Sequence, residues 1–177
     1  MSNPEEPGVA SMEELRASPG YPSEERLEKG AVAVIECIQE IPCNPCESAC
    51  RSGAIVVGQP ITNLPRLIEE KCRGCGECIA SCPGLAIFLV NRNYSQDEAT
   101  VSLPYEFLPV PEVGSSVDAL DRRGKRVCSG RVIKVANPAR NNKTAVVTIA
   151  VPKRRSDRVR NIRVCVEDET RNADMQM

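Results

Sequence analysis

Histidine and tryptophan are absent from this 177-residue chain, and three Tyr and two Phe are its whole aromatic content. Without imidazole there is no His-ligated zinc, no mixed Cys–His iron–sulfur centre, no Ser-His-Asp or Cys-His catalysis and no His general base. Long apolar runs are missing as well. None approaches the roughly 18 residues that cross a bilayer. The sole G-x-G, Gly74-Cys75-Gly76, lacks the following x2-Gly of a dinucleotide loop, and no Walker motif occurs. No catalytic residue is singled out. With so few aromatics, a conventional core must be built from Val, Ile, Leu and Ala. The opening Met1-Ser2-Asn3-Pro4-Glu5-Glu6 is acidic and has neither the basic nor the apolar region of a secretory signal. A cytoplasmic protein without a membrane span is expected.

Cysteine is what the chain has in excess. Of ten cysteines, eight lie between Cys37 and Cys82. The second group reads Cys72-x2-Cys75-x2-Cys78-x3-Cys82-Pro83, a spacing that wraps a short loop around an iron–sulfur cube. Gly74 and Gly76 sit between ligands, where positive φ and backbone N–H groups directed at sulfur are required. The first group, Cys37-x5-Cys43-x2-Cys46-x3-Cys50, looks like its partner with a wider first gap. Structural zinc normally uses separated C-x2-C pairs rather than a triple followed by x3-Cys-Pro, and a cytoplasmic setting disfavours disulfides. For the first group, one cluster plus spare thiols remains an alternative. Cys128 and Cys165 stand alone among β-type residues and are expected to be small buried hydrophobes, with a redox pair or a third metal site as the alternative.

The segment Cys72–Val90 resembles a bacterial-type ferredoxin with two [4Fe-4S] clusters. The stretch Glu40-Ile41-Pro42-Cys43-Asn44-Pro45-Cys46-Glu47, with Cys50 and Gly53-Ala54-Ile55, more narrowly resembles the small ferredoxin-like subunit of flavin-dependent amino-acid dehydrogenase complexes of the proline and opine type. The resemblance spans about residues 31–92. Two features depart from it: five residues separate Cys37 from Cys43, and Arg51 stands where Pro usually follows the fourth Cys. The resemblance implies that the fourth Cys of each group ligates the opposite cluster. One cluster would then take Cys37, Cys43, Cys46 and Cys82, and the other Cys72, Cys75, Cys78 and Cys50. It also implies a non-catalytic electron-transfer subunit of a hetero-oligomer, relaying electrons between the flavin of a partner dehydrogenase and other carriers.

The expected fold class is α+β, with a two-cluster ferredoxin-like core followed by a small antiparallel β-barrel or sandwich. Residues 1–29, rich in Pro, Glu and Ser, read as an acidic flexible arm, although Ser11-Met12-Glu13-Glu14 has the form of a capping box. Residues 30–92 form the two-cluster domain. Each Cys group there is followed by an apolar run, Gly53–Val57 or Leu85–Val90, and Leu64–Lys71 holds a helical turn between them. A Pro-containing connector is expected over 93–112, a basic β-rich domain over 113–168 with strands at Val127–Val135, Ala145–Val151 and Ile162–Val166, and a tail over 169–177. From Asp121 to Arg163 there are 14 Lys/Arg against two Asp/Glu, while the whole chain carries a net charge of −1. Charge segregated this way suggests a docking surface for an acidic partner subunit, with a solvated face as the plain alternative. RNA binding is disfavoured because no aromatic platform accompanies the charge. Two further readings stay open: a free-standing ferredoxin whose basic barrel binds RNA or protein, and a zinc-stabilised interaction module.

Overall fold

Most of the regular secondary structure of the described chain is strand, because its apolar residues come in short β-branched runs punctuated by Gly, Pro and Asn. The computed structural model describes residues 8–164. Seven strands form one antiparallel sheet: β1 (Val32–Ile35), β4 (Ile87–Asn91), β5 (Glu98–Tyr105), β8 (Ala145–Pro152), β7 (Arg126–Ala136), β6 (Ser116–Leu120) and β9 (Asn161–Val164), in that spatial order. Among the described residues, no ladder joins β9 to β1 or β5, so the sheet is open, though it curves enough for β9 to approach β5. β2 (Ile55–Val56) and β3 (Arg66–Leu67) pair separately. Four short helices complete the order: α1 (Met12–Ala17), α2 (Glu24–Leu27), α3 (Pro45–Ala49) and α4 (Glu77–Ser81).

The Cys-rich segment repeats itself. β1, a Cys loop, α3 and β2 are followed by β3, a second Cys loop, α4 and β4. β1 pairs with β4 antiparallel, Val32 opposite Val90 through Ile35 opposite Ile87, which brings the ends of the repeat together. All four residues of β1 are buried, as an element covered on both faces must be.

The connector expected over 93–112 contains a strand of eight residues, β5. Its Pro104 argued for a connector, since Pro cannot donate to a ladder. β4 accompanies β5 only from Thr100 to Ser102, and beyond that one side of β5 has no ladder to break. The boundaries expected near residues 92 and 112 therefore fall within one sheet and one apolar core. That core joins Val32, Ile35, Ile79 and Ile87 to Val101, Leu103, Val132, Val147, Ile149 and Ile162. The helical turn expected over Leu64–Lys71 divides into β3 and a 3-10 turn at Glu69–Lys71.

Residues 8–29, expected as a flexible arm, lie against the body. The Ser11 hydroxyl accepts from the Glu14 N–H while the Ser11 N–H donates to the Glu14 carboxylate, closing the capping box of α1. Leu15 and Leu27 are buried at 1% and 0% exposure, and a buried leucine outweighs the polar composition around it. Backbone bonds run from Ile35 N–H to Gly20 C=O and from Leu67 N–H to Pro19 C=O.

Candidate iron–sulfur sites

The two Cys groups build the same local structure. In each, the third Cys is the second residue of a five-residue helix and the fourth is its C-cap, the N–H of Cys50 donating to Glu47 C=O and that of Cys82 to Ile79 C=O. A turn follows, with Gly53 N–H bonded to Cys50 C=O and Leu85 N–H to Cys82 C=O. The next N–H reaches back to sulfur: Ala54 to Cys50 Sγ at 3.2 Å and Ala86 to Cys82 Sγ at 3.5 Å. The residue between, three past the Cys, has positive φ in both halves: 63° at Gly53 and 51° at Leu85. Gly74 (φ 65°) and Gly76 (φ 78°) supply the conformations expected of them. A Cβ on Gly74 would stand 2.7 Å from both Cβ and C=O of Ala31.

Eight thiols face two separate cavities. Cys37, Cys43, Cys46 and Cys82 line one, walled by Ile35, Ile41, Pro45, Pro65 and Ile87. Cys50, Cys72, Cys75 and Cys78 line the other, with Ala33, Ala54, Ile55 and Leu89. Each cavity thus takes three thiols from its own loop and one from the opposite loop, because the helices α3 and α4 carry their terminal Cys across the repeat. Among the described residues, no group of three or more His, Cys, Asp or Glu side chains is drawn close enough to hold a single metal ion. Tetrahedral zinc wants its sulfurs at about 2.3 Å from one ion, closer together than thiolates standing on separate irons of a cube.

The electrostatics divide the thiols in the same way. Burial first, then the neighbouring Cys82, Cys43 and Cys37, push the Cys46 thiol up to about 11. Burial, then Cys72, Cys75 and Cys50, push Cys78 up to about 12. Cys37 is raised by burial and by Cys82 and Cys43. Burial also acts upward on Cys50, yet hydrogen bonds from the Ser52 hydroxyl and the N–H groups of Ala54, Ile55 and Ser52 hold it below the ordinary thiol value. Ala33 N–H donates to Cys72 Sγ at 3.5 Å. Four thiols around an apolar cavity, with N–H groups directed at sulfur, form a donor set suited to a cube.

Cys75 is exposed, Cys46 and Cys78 are buried, and the other five thiols of the two groups are half-buried. All nine described cysteines are free. Cys128 is half-buried on β7, opposite Ala119, rather than fully enclosed, and Cys165 lies outside the described residues. Arg51 is largely exposed and pairs with Glu77 at 3.3 Å, whereas Arg73 lines the second cavity.

Sequence reasoning missed two supports of the site. Arg26 of α2 donates to four carbonyls, those of Glu69, Gly30, Ala31 and Cys72 (the last at 2.9 Å), and so clamps the start of the second loop. Glu36, next to Cys37, accepts from Arg122 and from Arg160 Nε at 2.6 Å. Burial opposes its charge, but the two guanidinium groups hold its carboxyl below the usual range. Buried charges need partners, and a lone Arg in a reading arm or a Glu beside a Cys gave no sign of one.

Residues 65–88 match the family model of the 4Fe-4S binding domain. The match covers the whole second Cys group and assigns it iron–sulfur binding and a 4Fe-4S electron-transfer role of ferredoxin-like kind. No curated protein and no solved structure matches the chain. Among the described residues, no helix is long and apolar enough to cross a membrane.

Proposed function

We propose that the chain carries two [4Fe-4S] clusters, one per cavity, and relays electrons between the flavin of a partner dehydrogenase and other carriers as a subunit of that complex. The observation that carries this reading is the division of eight thiols into two sets of four, each set completed by the opposite loop. A bound cube takes up and releases one electron at a time, at a potential set by burial, net charge and hydrogen bonds to sulfur.

The chain's own contribution is to hold, shield and tune. Cys37, Cys43, Cys46 and Cys82 hold one cluster, and Cys50, Cys72, Cys75 and Cys78 the other. Ile35, Ile41 and Ile87 keep water from the first, and Ile55 and Leu89 from the second. The N–H groups of Ala33, Ala54 and Ala86 offset negative charge on Cys72, Cys50 and Cys82. The fold class that goes with this reading is a two-cluster ferredoxin-like half continued by a strongly curved β half.

Anaerobic native purification tests it, with iron, sulfide, zinc and flavin analysis and EPR of the dithionite-reduced protein. The expected result is about eight irons per chain with a spin-coupled spectrum, and flavin on a co-purifying subunit. About four irons would confine the role to one cluster, and zinc without sulfide would overturn it.

A further inference from the structure

The 14 basic residues between Asp121 and Arg163 are not equally free in the fold. Arg122 and Arg160 are consumed by Glu36, Arg126 and Arg163 by Asp118, Arg131 by Glu98 and Arg158 by Asp121. Among the described residues, the other eight have no carboxylate partner, and Lys134 and Arg140, both exposed, are the two of them that share a groove, one of about 440 Å³.

The floor of that groove is a single row across four strands: Leu89 opposite Ser102, Ser102 opposite Thr148, Thr148 opposite Lys134. Ser102 and Thr148 join their hydroxyls at 2.8 Å, so the floor is polar and internally satisfied. One wall is the loop Gly74-Cys75-Gly76-Glu77 with Arg51, and the other is the β7–β8 hairpin with Pro138, Arg140 and Asn141. The groove therefore opens directly beside Cys75, the one exposed thiol of the eight. Glu77, its one carboxylate among the described residues, is already paired with Arg51. Among the described residues, no aromatic side chain lines it, which removes the stacking platform a single-stranded nucleic acid uses.

Resting on the electron-transfer reading above, we infer that this groove is a docking port for the acidic face of a partner protein, and that electrons pass through its Cys75 wall. Carboxylates of the partner meet Lys134 and Arg140, and the hairpin sets the approach to the second cavity. Uncompensated charge at such a port steers association and governs the encounter rate.

The test uses the full chain, cluster-loaded and reduced, with ferricyanide as anionic oxidant in stopped flow. Lys134→Glu/Arg140→Glu is compared with Arg154→Glu/Arg155→Glu, an equal charge change elsewhere. The port variant is expected to slow oxidation about ten-fold at low salt, with the difference lost by about 1 M salt. Lys134→Gln/Arg140→Gln should fall between. Hexacyanochromate(III), a paramagnetic anion that takes no electron here, should broaden the amide resonances of Ala136, Asn141 and Thr148 in the parent protein and spare them in the port variant.

Equal slowing by both double variants, or broadening spread over the surface, would overturn the port. So would retention of a labelled oligouridylate by the parent but not the port variant, or a dimer in sedimentation that the port variant dissolves. These outcomes assign the groove to RNA or to a second copy. Failure of the underlying reading is distinct: the protein then holds no iron or sulfide, and nothing is there to oxidise.

Discussion

Cys82 decides how the two cavities are wired. It follows Cys72, Cys75 and Cys78 in sequence, yet it shares its cavity with Cys37, Cys43 and Cys46. Cys82→Ala/Cys46→Ala should therefore damage a single site and leave about four irons, whereas Cys82→Ala/Cys78→Ala should damage both and leave almost none. Iron and sulfide analysis distinguishes the patterns, and the reverse would show each loop closing on itself. The glycines differ in what they tolerate. A Cβ at Gly53 meets nothing within 4 Å, so Gly53→Ala bears only the cost of positive φ, about 1 kcal/mol. At Gly74 the same change adds a collision with the backbone of Ala31, for about 3 kcal/mol in all, and the second cavity should lose its iron first. Denaturant unfolding of the loaded proteins measures both.

Among the α-helices, α2 is the shortest and ties the most segments together. It is only four residues long, far too short to be stable on its own, and it persists because Leu27 is buried and Arg26 is engaged by four carbonyls. Hydrogen bonds to a charged group are each worth more than neutral ones, so Arg26→Ala is expected to cost about 2 kcal/mol. It should also speed iron loss to a chelator from the second cavity several-fold, with the first cavity little changed. Lys at this position restores charge but not the fork that reaches several carbonyls, and should rescue only in part. The sequence made the Cys loops legible because ligand spacing is a local property: three residues of a tight turn either converge or do not. β7 and β8 were legible from their β-branched runs, close to their observed bounds, and so was the start of β9; the end expected at Val166 lies outside the described residues. β5 and β6 were not. Pro104 argued against a strand that tolerates it only because β4 departs after Ser102, and Ser116–Leu120 is too short and mixed to announce itself. The roles of Arg26 and Glu36 rest on partners 46 and 124 residues away, and no local pattern encodes such pairs.

At the scale of the whole molecule, the question is whether the cluster half and the basic half are separable, as their compositions suggest. β4 pairs with β5 from Leu89 opposite Ser102 to Asn91 opposite Thr100, the apolar core runs through both halves, and two ionic clamps close the seam. Arg92 is held by Asp157, Glu24 and Glu28, which tie α2 and its C-cap to the turn between β8 and β9. Burial works against the charge of Arg92, but the three carboxylates outweigh it and raise its affinity for the proton. Glu36 receives Arg122 and Arg160, the latter lying over the Phe88 ring with its guanidinium carbon 5.0 Å from the centroid. Arg160 is 6% exposed, and its Nη2 has no hydrogen-bond partner among the described residues. Removing Glu36 would therefore strand a buried cation that is already incompletely satisfied, and Glu36→Gln is expected to cost about 3 kcal/mol of global stability. Because the seam is shared, that loss should appear as one cooperative transition, with circular dichroism and cluster absorbance falling together. A fragment of residues 1–112 carries the argument further. It lacks β8, so the whole length of β5 becomes an edge bearing Val101, Leu103 and Tyr105, and it leaves Glu36 without either arginine. An exposed apolar edge of that kind aggregates, and the fragment should be recovered insoluble, without clusters. A soluble fragment that retained its full iron would show that the two halves fold independently and only share an edge.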